Sequence, residues 1–494
     1  MSALEQTEGL YVGLDVGTQS TKGVLLDSRK RGAEAIVARA AHPYPLIEGL
    51  EPGAAEQHPH TWRDAVIDVL RQLLAGVDSG QLRGIGVSGQ QHGLVVLDEQ
   101  DEVVRPAKLW CDTTTVAEAE EITRAGKYVV PTGFTLPKLL WMKRREPEQF
   151  ARVRSVLLPH DYINFLLTGR KFMEAGDASG SGAFDPQTRK FDQQLLEWVD
   201  PRAPAMFPEL VAADRPAARV SARGAQILGL PEGLAVAPGG GDNMMSAIGS
   251  GATASGVTVV SLGTSGTAFA YSSRPVIDPE GLIAGFCDST GAWMPLLCTM
   301  NVTGVTEEVR AAFGGMTNEQ LTSLAQSVPA GCDGLTFLPY LQGERVPNLP
   351  HARGALLGVS PGLLRPGHLY RAAMEGATLS MVSGVERMKG LGLEVSSVRL
   401  VGGGSKNPLW RQMFADSLGV SVQRLLEPES AALGGALQAC WVQRRGAGQQ
   451  VAIAEVAAPF VQLAPEVAEP NPAVAEVSRQ ALDSLLQGTR RLYE

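Results

Sequence analysis

Two aspartates of this chain stand in glycine-rich turns, where a carboxylate has room to meet a ligand. Asp15 lies in L-Y-V-G-L-D-V-G-T-Q-S-T-K, and Asp242 follows P-G-G-G and precedes the uncharged run N-M-M-S-A-I-G. A carboxylate at the end of a buried strand, beside a turn of Gly, Ser and Thr, suits Mg²⁺ held through water, because that ion prefers few protein carboxylates and several waters. Asp242 admits two readings. It could cap the following helix by accepting from its first N–H groups, or it could take the proton of a substrate hydroxyl in phosphoryl transfer.

A third cluster, Gln90-Gln91-His92, sits in G-I-G-V-S-G-Q-Q-H-G-L-V-V-L, a polar turn between two apolar strands. Three adjacent long polar side chains suit a polyhydroxylated ligand; a turn histidine bonded to a backbone carbonyl is the plainer alternative. Trp110, Cys111 and Asp112 end the next strand and could complete such a pocket, although Trp110 would serve equally as core. At 401–410 the run V-G-G-G-S-K-N-P-L-W joins a strand to a helix whose Leu409, Trp410, Met413, Phe414 and Leu418 share one face. That junction offers free N–H groups to an anion or a nucleoside, or it only turns the chain.

The elements that must carry these residues repeat. Leu10 to Asp27 reads as apolar strand, small polar turn, apolar strand, and so does V-T-V-V-S-L-G-T-S-G-T-A-F-A-Y-S from Val257. Aligning Gly17-Thr18 with Gly263-Thr264 sets Asp15 opposite Ser261, so the copies share a backbone form and one of them carries a carboxylate. A duplicated domain is the simplest explanation, and two such turns offer N–H groups and hydroxyls to phosphate oxygens from two sides. Val103 to Trp110 is expected to continue the first sheet. Helices are expected near 116–125, 138–146 and 159–168, the last ending at Gly169, and residues 170–235 read as long connections leading to a strand at Leu234–Ala237. In the second half the pattern gives strands at Leu335–Leu341 and Val398–Val401, a long helix at Arg365–Lys389, and a terminal amphipathic helix packing back on the body.

At 494 residues, against ~100–200 per domain, two or three domains are expected. The mixture of 44% hydrophobic and 19% charged residues excludes a disordered chain. A net charge of −9 without any Lys/Arg run argues against a nucleic-acid partner. Five scattered cysteines without C-x-x-C spacing fit a reducing compartment, the cytoplasm. The acidic opening M-S-A-L-E-Q-T-E-G-L has no apolar segment of a secretory leader. Residues 243–273 lack Asp, Glu, Lys and Arg, yet sixteen of the 31 are Gly, Ser or Thr, which suits strands and turns and not a membrane span.

Taken in order, D-V-G-T-Q-S-T-K, S-G-Q-Q-H-G, R-P-A-K-L-W-C-D, G-F-T-L-P-K-L-L-W, G-G-G-D-N, S-L-G-T-S-G, L-P-Y-L-Q-G-E-R-V-P and V-G-G-G-S-K-N-P-L-W-R-Q-M resemble the FGGY carbohydrate kinases over about residues 10–440. The resemblance implies an α/β fold of two actin-like (ribonuclease H-like) domains flanking a deep catalytic cleft: residues 9–249 holding sugar, 250–445 holding ATP, and a tail at 446–494. It implies transfer of the ATP γ-phosphoryl group to O5 of a ketose, D-xylulose, with Mg²⁺. Another ketose or polyol is the alternative substrate, and a non-catalytic sugar or nucleotide sensor the alternative class. Carried over by motif, Asp242 resembles the catalytic base and Asp15 the carboxylate near metal and phosphate. Gln91, His92 and Asn243, with Trp110 and Asp112, resemble sugar contacts. Thr18 and Lys22 resemble one phosphate segment, Gly263 and Thr264 the other, and Gly403 and Asn407 the adenosine site. Neither nucleic acid nor membrane is implied as a partner, and a homodimer is left open.

Overall fold

The computed structural model describes residues 7–493; the leader expectation falls largely on residues 1–6, which lie outside the described residues. Leu10–Val16 (β1) and Ser20–Asp27 (β2) form the expected antiparallel hairpin. Ile36–Pro43 (β3) extends it, and helix Pro59–Leu73 (α1) covers these strands with Trp62, Val66, Val69, Leu70 and Leu73 buried at helical spacing. Leu82–Gly89 (β4) returns parallel to β1. The first sheet then runs Ala218–Arg219, Ala235–Val236, β4, β1, β2, β3, which leaves β1 paired on both edges. A strand in that position is covered on both faces, so its composition is almost wholly apolar, and Asp15 is its polar exception. Asp242–Gly249 (α2) closes the first half.

Gly256–Leu262 (β5) and Gly266–Ala270 (β6) form the second hairpin, which Trp293–Thr299 (β7) extends. Helix Pro366–Gly390 (α3) precedes Val395–Val401 (β8), which lies parallel to β5 as β4 lies parallel to β1. The uncharged stretch at 243–273 is therefore α2 and this hairpin. No helix among the described residues is long and apolar enough to cross a membrane. The five cysteines are free.

Helix Ser430–Gly446 (α4) departs from a simple succession of two halves, because it packs on the first sheet. Two glycines permit its approach. A Cβ on Gly13 would stand 1.9 Å from the Ala432 carbonyl oxygen, and one on Gly86 2.1 Å from that of Gly435. Helices α2 and α4 also touch backbone to backbone, at Gly249 against Ser430 and Gly434 against Met245. The span 446–494 is more than a tail, since Leu463–Ala468 joins the edge of the second sheet before the expected terminal helix, Pro472–Tyr493.

Three expectations are corrected. Val103–Trp110 leaves the first sheet: after His92, in a left-handed conformation (φ 66°), Val95–Leu97 pairs with Ser155–Leu157, and Ala107–Lys108 pairs with Glu56–Gln57. The place beside the end of β4 goes instead to Gly240–Gly241. Residues 170–235 hold capped helices at Gln193–Val199 and Ala222–Leu228 besides connections, with Asp192 and Ser221 as N-caps. Leu335–Leu341 contributes only the strand Thr336–Leu338, outside the main sheet and paired with Ala355–Leu357.

Candidate active site

Asp242 is the first residue of α2, and the capping position belongs to Gly241, which has no side chain to cap with. The Asp242 Oδ1 accepts from the Asn243 N–H at 2.7 Å and from Asn243 Nδ2 at 2.8 Å. Its Oδ2 has no protein partner among the described residues. Burial, and then the charge of Asp15, push the carboxyl up to about 7, against the opposing hydrogen bonds of Asn243. A carboxyl in that range is poised to exchange a proton near neutral pH.

Asn243 ties this carboxylate to both halves. Its Nδ2 donates to Gln91 Oε1 at 2.9 Å, and its Oδ1 accepts from Thr267 Oγ1 of β6 at 3.1 Å. The Gln91 Nε2 is buried without a protein partner among the described residues; a buried unpaired donor is costly unless a ligand satisfies it. His92 stacks on Phe134 with ring centroids 4.6 Å apart and lies near Phe286 at 5.9 Å. Burial holds its imidazole well below the usual range, and the charges of Lys138 and Arg345 add to that, so it is neutral. Its carbonyl accepts from Lys138 Nζ at 2.7 Å and Thr135 Oγ1 at 3.1 Å, which fixes the turn. Lys138 is itself buried and pushed down to about 7. Its position in the run T-L-P-K-L-L-W gave no sign of this role.

Trp110 donates to Thr18 Oγ1 at 2.9 Å, and Thr18 in turn donates to Gln90 Oε1 at 3.0 Å. Asp112, by contrast, is turned into the wall: it accepts from Lys108 Nζ at 2.8 Å, Ala55 N at 3.0 Å and Thr114 Oγ1 at 2.6 Å. The side chain supports the cavity and does not line it.

Both hairpin turns carry main-chain donors without a protein acceptor among the described residues. Gly17 N–H bonds Ser20 O and Gly263 N–H bonds Ser265 O, each at 3.0 Å. The amides of Thr18, Thr264 and Ser265 donate to no protein acceptor among the described residues. Asp15 accepts from Ser88 Oγ at 2.8 Å, and burial raises its carboxyl against the pull of Ser88 and Lys22. Lys22 pairs with Glu429 at 2.8 Å, a partner that the sequence did not suggest. In the second half, Gly402 has φ 81°, which favours glycine, while Gly403 is exposed with open space where a Cβ would stand. Asn407 caps helix Pro408–Leu418, accepting from Leu409 N at 3.0 Å, and its Nδ2 donates to Thr322 Oγ1 at 2.9 Å.

Comparison with known proteins identifies the family. The models of the FGGY family of carbohydrate kinases match residues 10–249 with the N-terminal domain and 258–442 with the C-terminal domain. A xylulose kinase of Haemophilus influenzae is 38% identical over 455 residues, 88% of this chain and 91% of that protein. Among solved structures, a xyloylose kinase from Brucella ovis superposes with TM-score 0.90 at 31% identity, covering 98% of this chain and 99% of that one. A xylulose kinase from Rhodospirillum rubrum gives 0.88 at 29% identity, covering 98% and 99%. With both family models matched over most of the chain and both sheets shared with the solved kinases, the chain belongs to the FGGY family of carbohydrate kinases, ATP-dependent sugar kinases of actin-like fold.

Proposed function

We propose that this chain transfers the γ-phosphoryl group of ATP to O5 of D-xylulose, giving D-xylulose 5-phosphate and ADP. The observation that carries the reading is the carboxylate of Asp242, held on one oxygen by Asn243 and unpartnered on the other, between the polar Gln91–His92 turn and the two phosphate-type hairpins. As O5 bonds to the γ-phosphorus and the bond to the β–γ bridging oxygen breaks, Asp242 Oδ2 takes the O5 proton. Gln91 Nε2, Asn243 and His92 hold the sugar hydroxyls, and Trp110 closes that wall with Asp112 acting behind it through Lys108.

Thr18, Thr264 and Ser265 place main-chain donors on the phosphates, in a second turn closed by the Gly263 N–H, and Lys22 exchanges Glu429 for the triphosphate. Gly403 and Asn407 border the adenosine. Residues 9–249 thereby serve mainly the sugar, and 250–445 mainly the nucleotide, in the cytoplasm where ATP is supplied. Asp15 fits the role of Mg²⁺ carboxylate: one oxygen is fixed by Ser88, and burial together with the charge of Glu429 disfavours its own charge without a cation, against the pull of Ser88 and Lys22. Bound with the triphosphate there, the ion would neutralise phosphate charge.

The test is ADP release measured over a panel of D-xylulose, D-ribulose, L-ribulose, xylitol and glycerol, with the product's phosphate position read by NMR. D-xylulose should give the highest kcat/KM and phosphate on C5. A higher value for any other acceptor removes the D-xylulose assignment.

A further inference from the structure

Arg345 is a half-buried arginine of the second half that lacks a carboxylate partner among the described residues. Its segment is held firmly. The Glu344 carboxylate accepts from Arg345 N at 2.8 Å, Met300 N at 2.7 Å and Asn301 Nδ2 at 3.0 Å, and Glu344 exchanges two main-chain bonds of 2.9 Å with Leu349. The guanidinium, in contrast, makes one long contact, from Nη1 to Cys298 Sγ at 3.8 Å.

That contact locates it. Cys298 lies opposite Thr267 in the β6–β7 register, and Thr267 bonds Asn243. The charge of Arg345 also acts on His92, Cys111 and Lys138 of the first half. The charges acting most on Asp242 are those of Asp15 and Asp177. Arg345 thus stands in the acceptor site on the side of His92, and the Cys298 it touches also feels the charge of Asp242. Neighbouring cations are already engaged, Lys22 by Glu429 and Lys138 by the carbonyls of His92 and Gly133. A planar fork of N–H donors without an acid, in a cleft that takes an open-chain sugar, matches two adjacent oxygens.

We propose that Arg345 binds the acceptor on the His92 side of the site, its fork spanning two adjacent oxygens, which for a ketose are the C1 hydroxyl and C2 carbonyl oxygens. It is then the second half's specificity-determining contact to a sugar otherwise held by the first half. The choice of those two oxygens rests on the ketose reading above.

The experiment compares wild type, Arg345→Met and Arg345→Lys on D-xylulose and on 1-deoxy-D-xylulose, by ADP release. Arg345→Met should lower kcat/KM for D-xylulose about 10- to 100-fold, mostly through KM, with the KM for ATP little changed. On the 1-deoxy sugar the same substitution should cost about fivefold less, because one of the two contacts is already missing. Arg345→Lys, which keeps the charge without the fork, should fall between. Equal losses on both sugars, or a loss that falls on the KM for ATP, overturn the proposal. Should Arg345→Met fail to fold, Arg345→Lys yields the same ratio. The ketose reading is judged on wild type alone. If another acceptor is preferred there, the ratio is measured on that acceptor and its analogue lacking one of the two adjacent oxygens, and it still decides the role of Arg345.

Discussion

In the hairpin β1–β2 the pair of residues facing each other two positions before the turn is Asp15 with Lys22; in β5–β6 the matching pair is Ser261 with Thr267. Both hairpins have a parallel strand beside their first strand, β4 or β8, and both turns close with a glycine N–H bond. The second turn is one residue shorter, Gly263 reaching Ser265 where Gly17 reaches Ser20. The two hairpins therefore share a backbone form and differ in charge. One carries a carboxylate and an ammonium. The other supplies hydroxyls, and Thr267 uses its own to orient Asn243 beside Asp242.

If the two hairpins converge on one reacting hydroxyl, the largest loss must come from the group between them. Asp242→Asn should lower kcat by ~10²–10⁴ while the thermal midpoint holds, since Asn243 can still bond the remaining oxygen. Near-normal turnover would remove the base and, with it, that convergence.

Exchanging the distinctive charge is the next test. Asp15→Asn should lower kcat by roughly 10²-fold and raise the Mg²⁺ requirement, and adding Ser261→Asp should not restore it, because the carboxylate would then stand in the wrong half. The pH profile sharpens this. Asp242 must be ionised to accept a proton, so kcat/KM of the wild type should rise with pH through about 7. The negative charge of Asp15 is one cause of that elevation, so its neutralisation should move the rising limb to lower pH. A limb that stays in place, or moves up, separates the two aspartates.

Smaller effects are expected from their partners. Lys22→Met should raise the KM for ATP about tenfold, the worth of one charge-assisted contact, and leave the KM for sugar nearly unchanged. Thr267→Val removes a neutral hydrogen bond of ~1 kcal/mol, about fivefold in kcat/KM for the sugar. If Thr267→Val instead raised the KM for ATP, the second hairpin would be a nucleotide element alone.

Local chemistry made much of this molecule legible. The hairpins follow from apolar runs broken by small polar residues, and Pro159–Thr168 ends at Gly169 with φ 71°, as a left-handed helix terminus requires. Asp15, Asp242 and the Gln91–His92 turn were found because a polar group among glycines or apolar strands is conspicuous along the chain itself. Asp112 looked the same from its neighbours, yet its direction is set by Lys108 and by Ala55, fifty-seven positions away.

By itself, then, the sequence determined the strand and helix types, the duplicated hairpin and the inventory of reactive groups, since these depend on residues a few positions apart. Tertiary structure alone decided that α4 leaves the second half to lie on Gly13 and Gly86, that Lys22 meets Glu429, and that Arg345 reaches Cys298. Those pairings join residues 47 to more than 400 positions apart. Periodicity is silent about them, because they are fixed by which surfaces can be buried together once both sheets exist.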